Sequence, residues 1–236
     1  MGKTCIVWDE RFTYHQMGYL HVESPRRLIA IKEVLDGNGV GKELSKIEIR
    51  PATNDEIAYI HDDNYIKKIV ETAKRETTPL DPDISANAYT WEAATLAAGG
   101  LIRCLEEVEA ENFKNAFAFV RPPGHHAERN HAKGFCIFNN VAIAAEWLIK
   151  NRGLEKVAII DFDAHHCNGT QHSFYNREDV FVTSIHHYPF YPGTGAADET
   201  GEGKGHGTNL KVPLKSGSND YDYMRAIDKI IIPALD

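Results

Sequence analysis

The segment Val157-Ala-Ile-Ile-Asp-Phe-Asp-Ala-His-His-Cys-Asn-Gly-Thr170 constrains this chain more than any other. Residues 157–160 are all apolar and read as a buried parallel strand. Asp161, Asp163 and His165 follow at steps of two. If the backbone stays extended there, period-2 alternation puts the three side chains on one side. Two carboxylates and an imidazole at the end of a buried strand are costly to desolvate unless a cation or hydrogen bonds compensate them. Divalent zinc accepts oxygen and nitrogen ligands of this kind. A solvated Asp/His turn is the bland alternative. His165 at the mouth of an apolar strand favours a metal or catalytic site.

Helical and strand-like segments alternate along the chain, which indicates an α/β fold with a parallel sheet. Strands are expected at residues 4–8, 116–120, 157–160 and 180–185. A first helix opens at Ser24-Pro25, an N-cap followed by proline, and runs to Gly37. A second starts near Asn54 and breaks around residues 61–63; a third starts at Thr90, with Gly99-Gly100 marking close packing. A fourth spans residues 140–150. The proline-interrupted segment 79–87 reads as a loop. The last helix is capped by Ser218-Asn219-Asp220, with an apolar face of Met224, Ile227, Ile230, Ile231 and Leu235.

With 236 residues the chain is long enough for one large domain, and residues 1–236 are read as one domain. A formal net charge of −8 argues against a nucleic-acid backbone as the main ligand. Four widely spaced cysteines without a C-x-x-C pair suit a reduced cytoplasmic protein rather than a disulfide framework. No apolar run approaches the length of a membrane span.

Histidine pairs follow three of the strands: His125-His126, His165-His166 and His186-His187. Ligands of open parallel sheets bind beyond the carboxyl ends of the strands, so these six histidines fall where an active site is expected. Asp163 and His165 suit metal ligation. His125 and His126 suit proton transfer, because imidazole titrates near neutrality. Asp161 and Asn168 are candidates to bond those rings and fix their tautomers. The glycine-rich stretch 201–207 lacks the order of a phosphate loop and reads as a mobile loop.

Five motifs together resemble the histone deacetylase family: His21-Val-Glu-Ser-Pro-Arg-Arg27, Arg121-Pro-Pro-Gly-His-His-Ala127, Gly134-Phe-Cys-Ile-Phe-Asn-Asn140, Asp161-Phe-Asp-Ala-His-His166 and Tyr191-Pro-Gly-Thr-Gly195. The similarity is greatest to class II-like members and to bacterial and archaeal relatives, including acetylpolyamine amidohydrolases. It runs from Asp9 to the end. The resemblance implies a three-layer arginase/deacetylase-like fold with a parallel sheet. It also implies zinc-dependent removal of acetyl groups from acetyl-lysine or acetyl-polyamine substrates, with ferrous iron as an alternative metal. On this resemblance Asp163 and His165 are metal ligands and His125 and His126 are the tandem proton carriers. Asp161 holds His125 and Asn168 holds His126. The Gly134 carbonyl orients the substrate amide, Phe135 and Tyr191 flank a narrow tunnel, and Asp81 or Asp83 sits at its rim. Backbone around residues 161–165, with Ser184, binds a monovalent cation such as potassium.

The chain departs from the family pattern in two ways. Cys167 stands where members usually have glycine. The third metal ligand, an aspartate in a Gly-Phe-Asp-like motif, and the tyrosine of a Gly-Gly-Tyr-like motif are absent from this sequence. The chain is therefore expected to be a C-terminally shortened form whose sheet is split and leaves two edges exposed. A complementing segment or a homo-oligomer would complete it. The alternative function is an inactive or assembly-dependent paralogue acting through binding or oligomerisation. A two-manganese ureohydrolase of the same fold fits less well, because Cys167 stands where extra carboxylates are needed.

Overall fold

Alternation of buried and exposed residues sets the first strand, β1 (Thr4–Val7), which turns Cys5 and Val7 inward. The structure is a computed structural model that describes residues 3–37 and 39–235. Two compact units, Met1–Trp147 and Leu148–Asp236, divide the chain.

In the first unit, α1 (Arg26–Gly37) follows Ser24-Pro25 and buries Leu28. Next come α2 (Gly39–Glu43) and β2 (Leu44–Lys46), neither of which was expected. α3 (Asn54–Ile57) begins with a capping box in which Thr53 and Glu56 satisfy each other's backbone N–H groups. The expected break follows, and α4 (Asp63–Thr72) buries Tyr65, Ile66 and Ile69. Residues 79–87, expected to form a loop, instead lie in an antiparallel hairpin of β3 (Thr77–Asp81) and β4 (Ile84–Asn87). Pro79 misled because it cannot donate to a ladder. In a two-stranded hairpin every strand is an edge, and there a proline is tolerated. α5 (Thr90–Glu109) is the core helix. At Gly99 a Cβ would lie 2.0 Å from the Arg50 carbonyl oxygen, so the close packing expected there is real. β5 (Asn115–Ala118) completes a parallel sheet of order β2-β1-β5. Val7, Phe12, Leu28, Leu96, Ala97 and Cys104 form its core. α6 (Asn140–Arg152) contains the boundary between the units.

The second unit contains β6 (Val157–Asp161), α7 (Asn168–Phe174), β7 (Val180–His187) and β8 (Asn209–Leu214), joined as a parallel sheet of order β6-β7-β8. The central β7 is almost wholly buried. β6 was expected to be buried on both faces, yet only Ile159 is; Ile160 is 42% and Phe162 69% exposed. β6 pairs with β7 alone, and an edge strand leaves one flank open. β5 is likewise an outer strand of its own sheet, with Phe117 exposed.

α8 (Asp220–Ala226) carries the expected Asn219 cap, reinforced by Asp222. A π-type turn (Ile227–Ile231) then leads to α9 (Ile232–Leu235). Ala226 and Ile231 reach a core with Ile185 and Val212. Met224, Ile230 and Leu235 of the expected apolar face are exposed. The wider π turn takes Ile230 within it and Leu235 beyond it off a 3.6-residue stripe. In the glycine stretch 201–207 only Gly201 and Gly205 are buried; a Cβ at Gly205 would lie 2.4 Å from the Tyr175 carbonyl oxygen. All four cysteines are free and buried. No helix among the described residues is long and apolar enough to cross a membrane.

Candidate active site

The site residues of the first unit lie on the loop between β5 and α6. His125 and His126 stack with ring centroids 4.0 Å apart at 41°. His126 is buried, and its backbone N–H points to Cys136 Sγ at 3.5 Å. Beneath it runs a tight turn closed by reciprocal hydrogen bonds between Lys133 and Cys136, at 3.2 and 2.9 Å. Its two central residues have positive φ, 53° at Gly134 and 67° at Phe135. Two positive φ values in succession are the mark of a type I′ turn. Gly134 has a second reason to be glycine, because a Cβ there would lie 2.3 Å from His126 Cδ2. Phe135 is a bulky residue in left-handed backbone, the kind of local strain that clusters at ligand sites.

Phe135 is held from the side by His21, edge to face at 4.8 Å and 88°. The same His21 places Nε2 3.1 Å from the Asp83 carbonyl oxygen. The hairpin with Asp83 and the turn with Phe135 therefore meet at one imidazole. Arg121 anchors the start of the loop. It is fully buried, gripped by both Glu23 oxygens at 2.6 Å, and donates to the Phe12 and His15 carbonyl oxygens.

His61 supports the far end. Its Nε2 accepts the Asn139 N–H at 2.9 Å, so its Nδ1–H donates to the Glu128 carbonyl oxygen at 2.9 Å. Burial pushes its pKa down to about 4. The motifs contained Arg121 and Glu23, but nothing in their spacing showed that they pair across 98 residues, and no signal marked His61.

In the second unit the Asp-x-Asp-x-His run leaves β6 and folds back on itself. Asp161 Oδ1 accepts the Asp163 N–H at 2.9 Å, and Asp163 Oδ1 accepts the His165 N–H at 2.8 Å. His165 Nδ1 lies 3.1 Å from that same Asp163 oxygen. The chain does not stay extended here; two successive side-chain-to-backbone bonds curl it, as short Asp side chains do. Both side chains remain partly open to solvent. His165 stacks on Phe190 at 5.4 Å and meets Tyr191 edge-on at 5.8 Å. Asn168 is buried at the first turn of α7.

The other histidines at these strand ends are structural. His166 and His186 are fully buried, and burial lowers the pKa of both, that of His166 to about 4. His166 bonds Thr194 and Gln171 at 2.8 and 3.0 Å, and His186 bonds Ser184 and the Gly195 carbonyl oxygen at 2.9 Å each. Glu199 ties the Tyr191 loop by accepting the Gly195 and Ala196 N–H groups and the Gln171 side-chain amide. His187 stacks on Phe190. The pairing of histidines in this unit thus reflects one site residue and one packing residue after β6, and two packing residues at the end of β7.

An oxygen and an imidazole nitrogen each bound to zinc at about 2.0–2.2 Å are separated by roughly 3.3–3.5 Å in tetrahedral geometry. Asp163 Oδ1 and His165 Nδ1, 3.1 Å apart, need to separate by only a few tenths of an ångström to share an ion. Among the described residues no group of three His, Cys, Asp or Glu side chains could hold a metal ion, so the pair fits part of a zinc site.

Residues 21–236 match the family model described as the histone deacetylase domain. A probable deacetylase of Archaeoglobus fulgidus is 38% identical over 234 residues, covering 98% of this chain and 65% of that protein. A histone deacetylase-like amidohydrolase of Pseudomonas aeruginosa is 37% identical over 92% of this chain and 57% of its own length. The crystal structure of the HDA15 HD domain superposes with a TM-score of 0.94 at 38% identity, covering 98% of this chain and 67% of that one. The chain thus spans about two thirds of the length of the archaeal relative and less of the bacterial one.

Proposed function

Because this chain belongs to the histone deacetylase family, we propose that it carries the metal-binding and proton-transferring residues of a zinc-dependent amidohydrolase acting on acetyl-lysine or acetyl-polyamine. The observation that carries this is the 3.1 Å approach of Asp163 Oδ1 to His165 Nδ1 at the end of β6. These two residues would hold the ion. Zinc bound there supplies the Lewis acidity that amide hydrolysis needs at neutral pH; ferrous iron suits the same donors.

The rest of the chemistry falls to the protein. One imidazole of the His125–His126 pair takes a proton from the attacking water, and the other delivers one to the leaving amine. To Asp161 and Asn168 we assign the fixing of which ring nitrogen carries the proton. The Gly134 carbonyl accepts the substrate amide N–H. To Phe135 and Tyr191 we assign the acyl-lysine stem, which favours a slender substrate over a branched one. Asp81 or Asp83 meets the substrate at the rim.

A catalytic zinc takes three protein ligands, and Asp163 and His165 are two of them.

Metal analysis with fluorogenic acetyl-lysine and acetyl-polyamine substrates tests the proposal. Bound zinc and turnover that disappears in His126→Ala support the hydrolase. Protein that takes up neither zinc nor iron, or turnover that survives His126→Ala, overturns the proposal.

A further inference from the structure

Lys211 on β8 is 5% exposed, and its ammonium makes one side-chain hydrogen bond among the described residues, a long one of 3.4 Å to Asn209 Oδ1. No carboxylate forms an ion pair with it among the described residues; the one carboxylate that acts on it through space is Glu199. A buried lysine without an ion-pair partner is rare, because desolvation penalises the charge.

Strand register shows where that charge acts. Asp161 on β6 is the Cα partner of Ser184 on β7, and Ser184 is the partner of Lys211 on β8. Side chains of directly paired residues in a pleated sheet point to the same face. Asp161, Ser184 and Lys211 therefore form one lateral row at the carboxyl ends of the strands. Cys167 lies beside it: the thiol is fully buried and close enough to Asp161 and Lys211 to feel the charge of both. The Ser184 hydroxyl is engaged by His186 Nδ1 at 2.9 Å. His186 Nε2–H donates to the Gly195 carbonyl oxygen, so Ser184 must donate to Nδ1.

The family resemblance implies a monovalent cation beside residues 161–165 and Ser184. These residues fit that ion poorly. Lys211 already stands on the same row. A second cation next to it would be repelled with little water to screen the charges. We propose that Lys211 supplies, from within the chain, the positive charge of the Asp161–Ser184–Lys211 row, so that this unit is stable without a bound potassium ion.

The test is thermal unfolding of the full chain in KCl and in choline chloride at equal ionic strength. It uses neither zinc nor substrate, so its failure leaves the hydrolase proposal standing. The wild type is expected to melt at the same temperature in both salts. Lys211→Met, which keeps length and loses charge, is expected to gain a saturable rise with KCl, on the order of 5 °C at saturation. Lys211→Arg, which keeps the charge, is expected to behave as the wild type. A saturable potassium-dependent rise in the wild type overturns the proposal. So does a folded Lys211→Met protein that ignores potassium. Should Lys211→Met fold in neither salt, potassium-dependent melting of Lys211→Arg overturns it and potassium-independent melting of Lys211→Arg supports it.

Discussion

Asp163 Oδ1 accepts the His165 backbone N–H at 2.8 Å while lying 3.1 Å from the His165 Nδ1. One carboxylate oxygen thus shapes the turn and faces the imidazole that would share its metal. The two tasks separate by substitution. Asp163→Asn keeps an oxygen for the turn and loses the charge; Asp163→Ala loses both. Both variants, and His165→Ala, are expected to weaken zinc by about 100-fold or more, since loss of an outer-shell partner alone costs 10–100-fold. Only Asp163→Ala should also lower the melting temperature of the zinc-free protein. Competition with a chromophoric chelator measures the first effect and calorimetry the second. Equal zinc affinity in Asp163→Asn and wild type would remove the carboxylate from the metal site.

Gly134→Ala combines two penalties. Left-handed backbone costs a non-glycine residue about 1–2 kcal/mol, and the new Cβ would meet the His126 ring at 2.3 Å. The ring cannot retreat freely, because His126 is buried and stacked on His125. A loss of about 2–4 kcal/mol in urea unfolding is expected, along with a perturbed His126 ring resonance. Stability within about 0.5 kcal/mol of wild type would mean that the turn relaxes and does not set the imidazole.

What the sequence disclosed followed from local chemistry. Ser24-Pro25 opened α1, and Gly99-Gly100 marked a close approach. Both depend on neighbours within a few positions. The misreadings came from tertiary context. Four apolar residues before Asp161 imply burial only if the strand is flanked on both sides, and β6 is paired on one. The extended Asp161–His165 backbone was replaced by a curl because aspartate side chains compete for backbone N–H groups. The register that aligns Asp161, Ser184 and Lys211 spans three strands, and no single segment encodes it.

His61 makes stability depend on pH. Its folded pKa, about 4, is depressed below the ordinary 6.5 by burial. The unfolded chain therefore binds the proton first as pH falls. The stability linked to His61 is complete above pH 6.5 and is lost progressively between pH 6.5 and 4, by roughly 3 kcal/mol in total. Protonation would also turn Nε2 from an acceptor into a donor facing the Asn139 N–H. Urea midpoints at pH 7.5, 5.5 and 4.5 should fall for the wild type. They should fall less for His61→Gln, which begins lower but does not titrate. Parallel slopes for the two proteins would assign the acid sensitivity elsewhere, with His15, also held near 4 by burial, the next residue to substitute.

Glu23 and Arg121 lie 98 residues apart in sequence and meet through two hydrogen bonds of 2.6 Å. The Arg121 side chain has no exposed surface, so each partner is stranded if the other is removed. Breaking a buried pair from one side typically costs about 3–5 kcal/mol, whereas replacing both members with apolar groups is often near neutral. Glu23→Leu should therefore destabilise by about 3–5 kcal/mol, and Glu23→Leu with Arg121→Met by less. Two carbonyl oxygens complicate the double variant, because Arg121 also donates to Phe12 and His15. Losing those bonds should keep the double variant about 1–3 kcal/mol below wild type rather than level with it. A double-mutant cycle by urea unfolding measures the coupling. Additive losses would show that Glu23 and Arg121 act independently and that the loop holding His125 and His126 is anchored by other contacts.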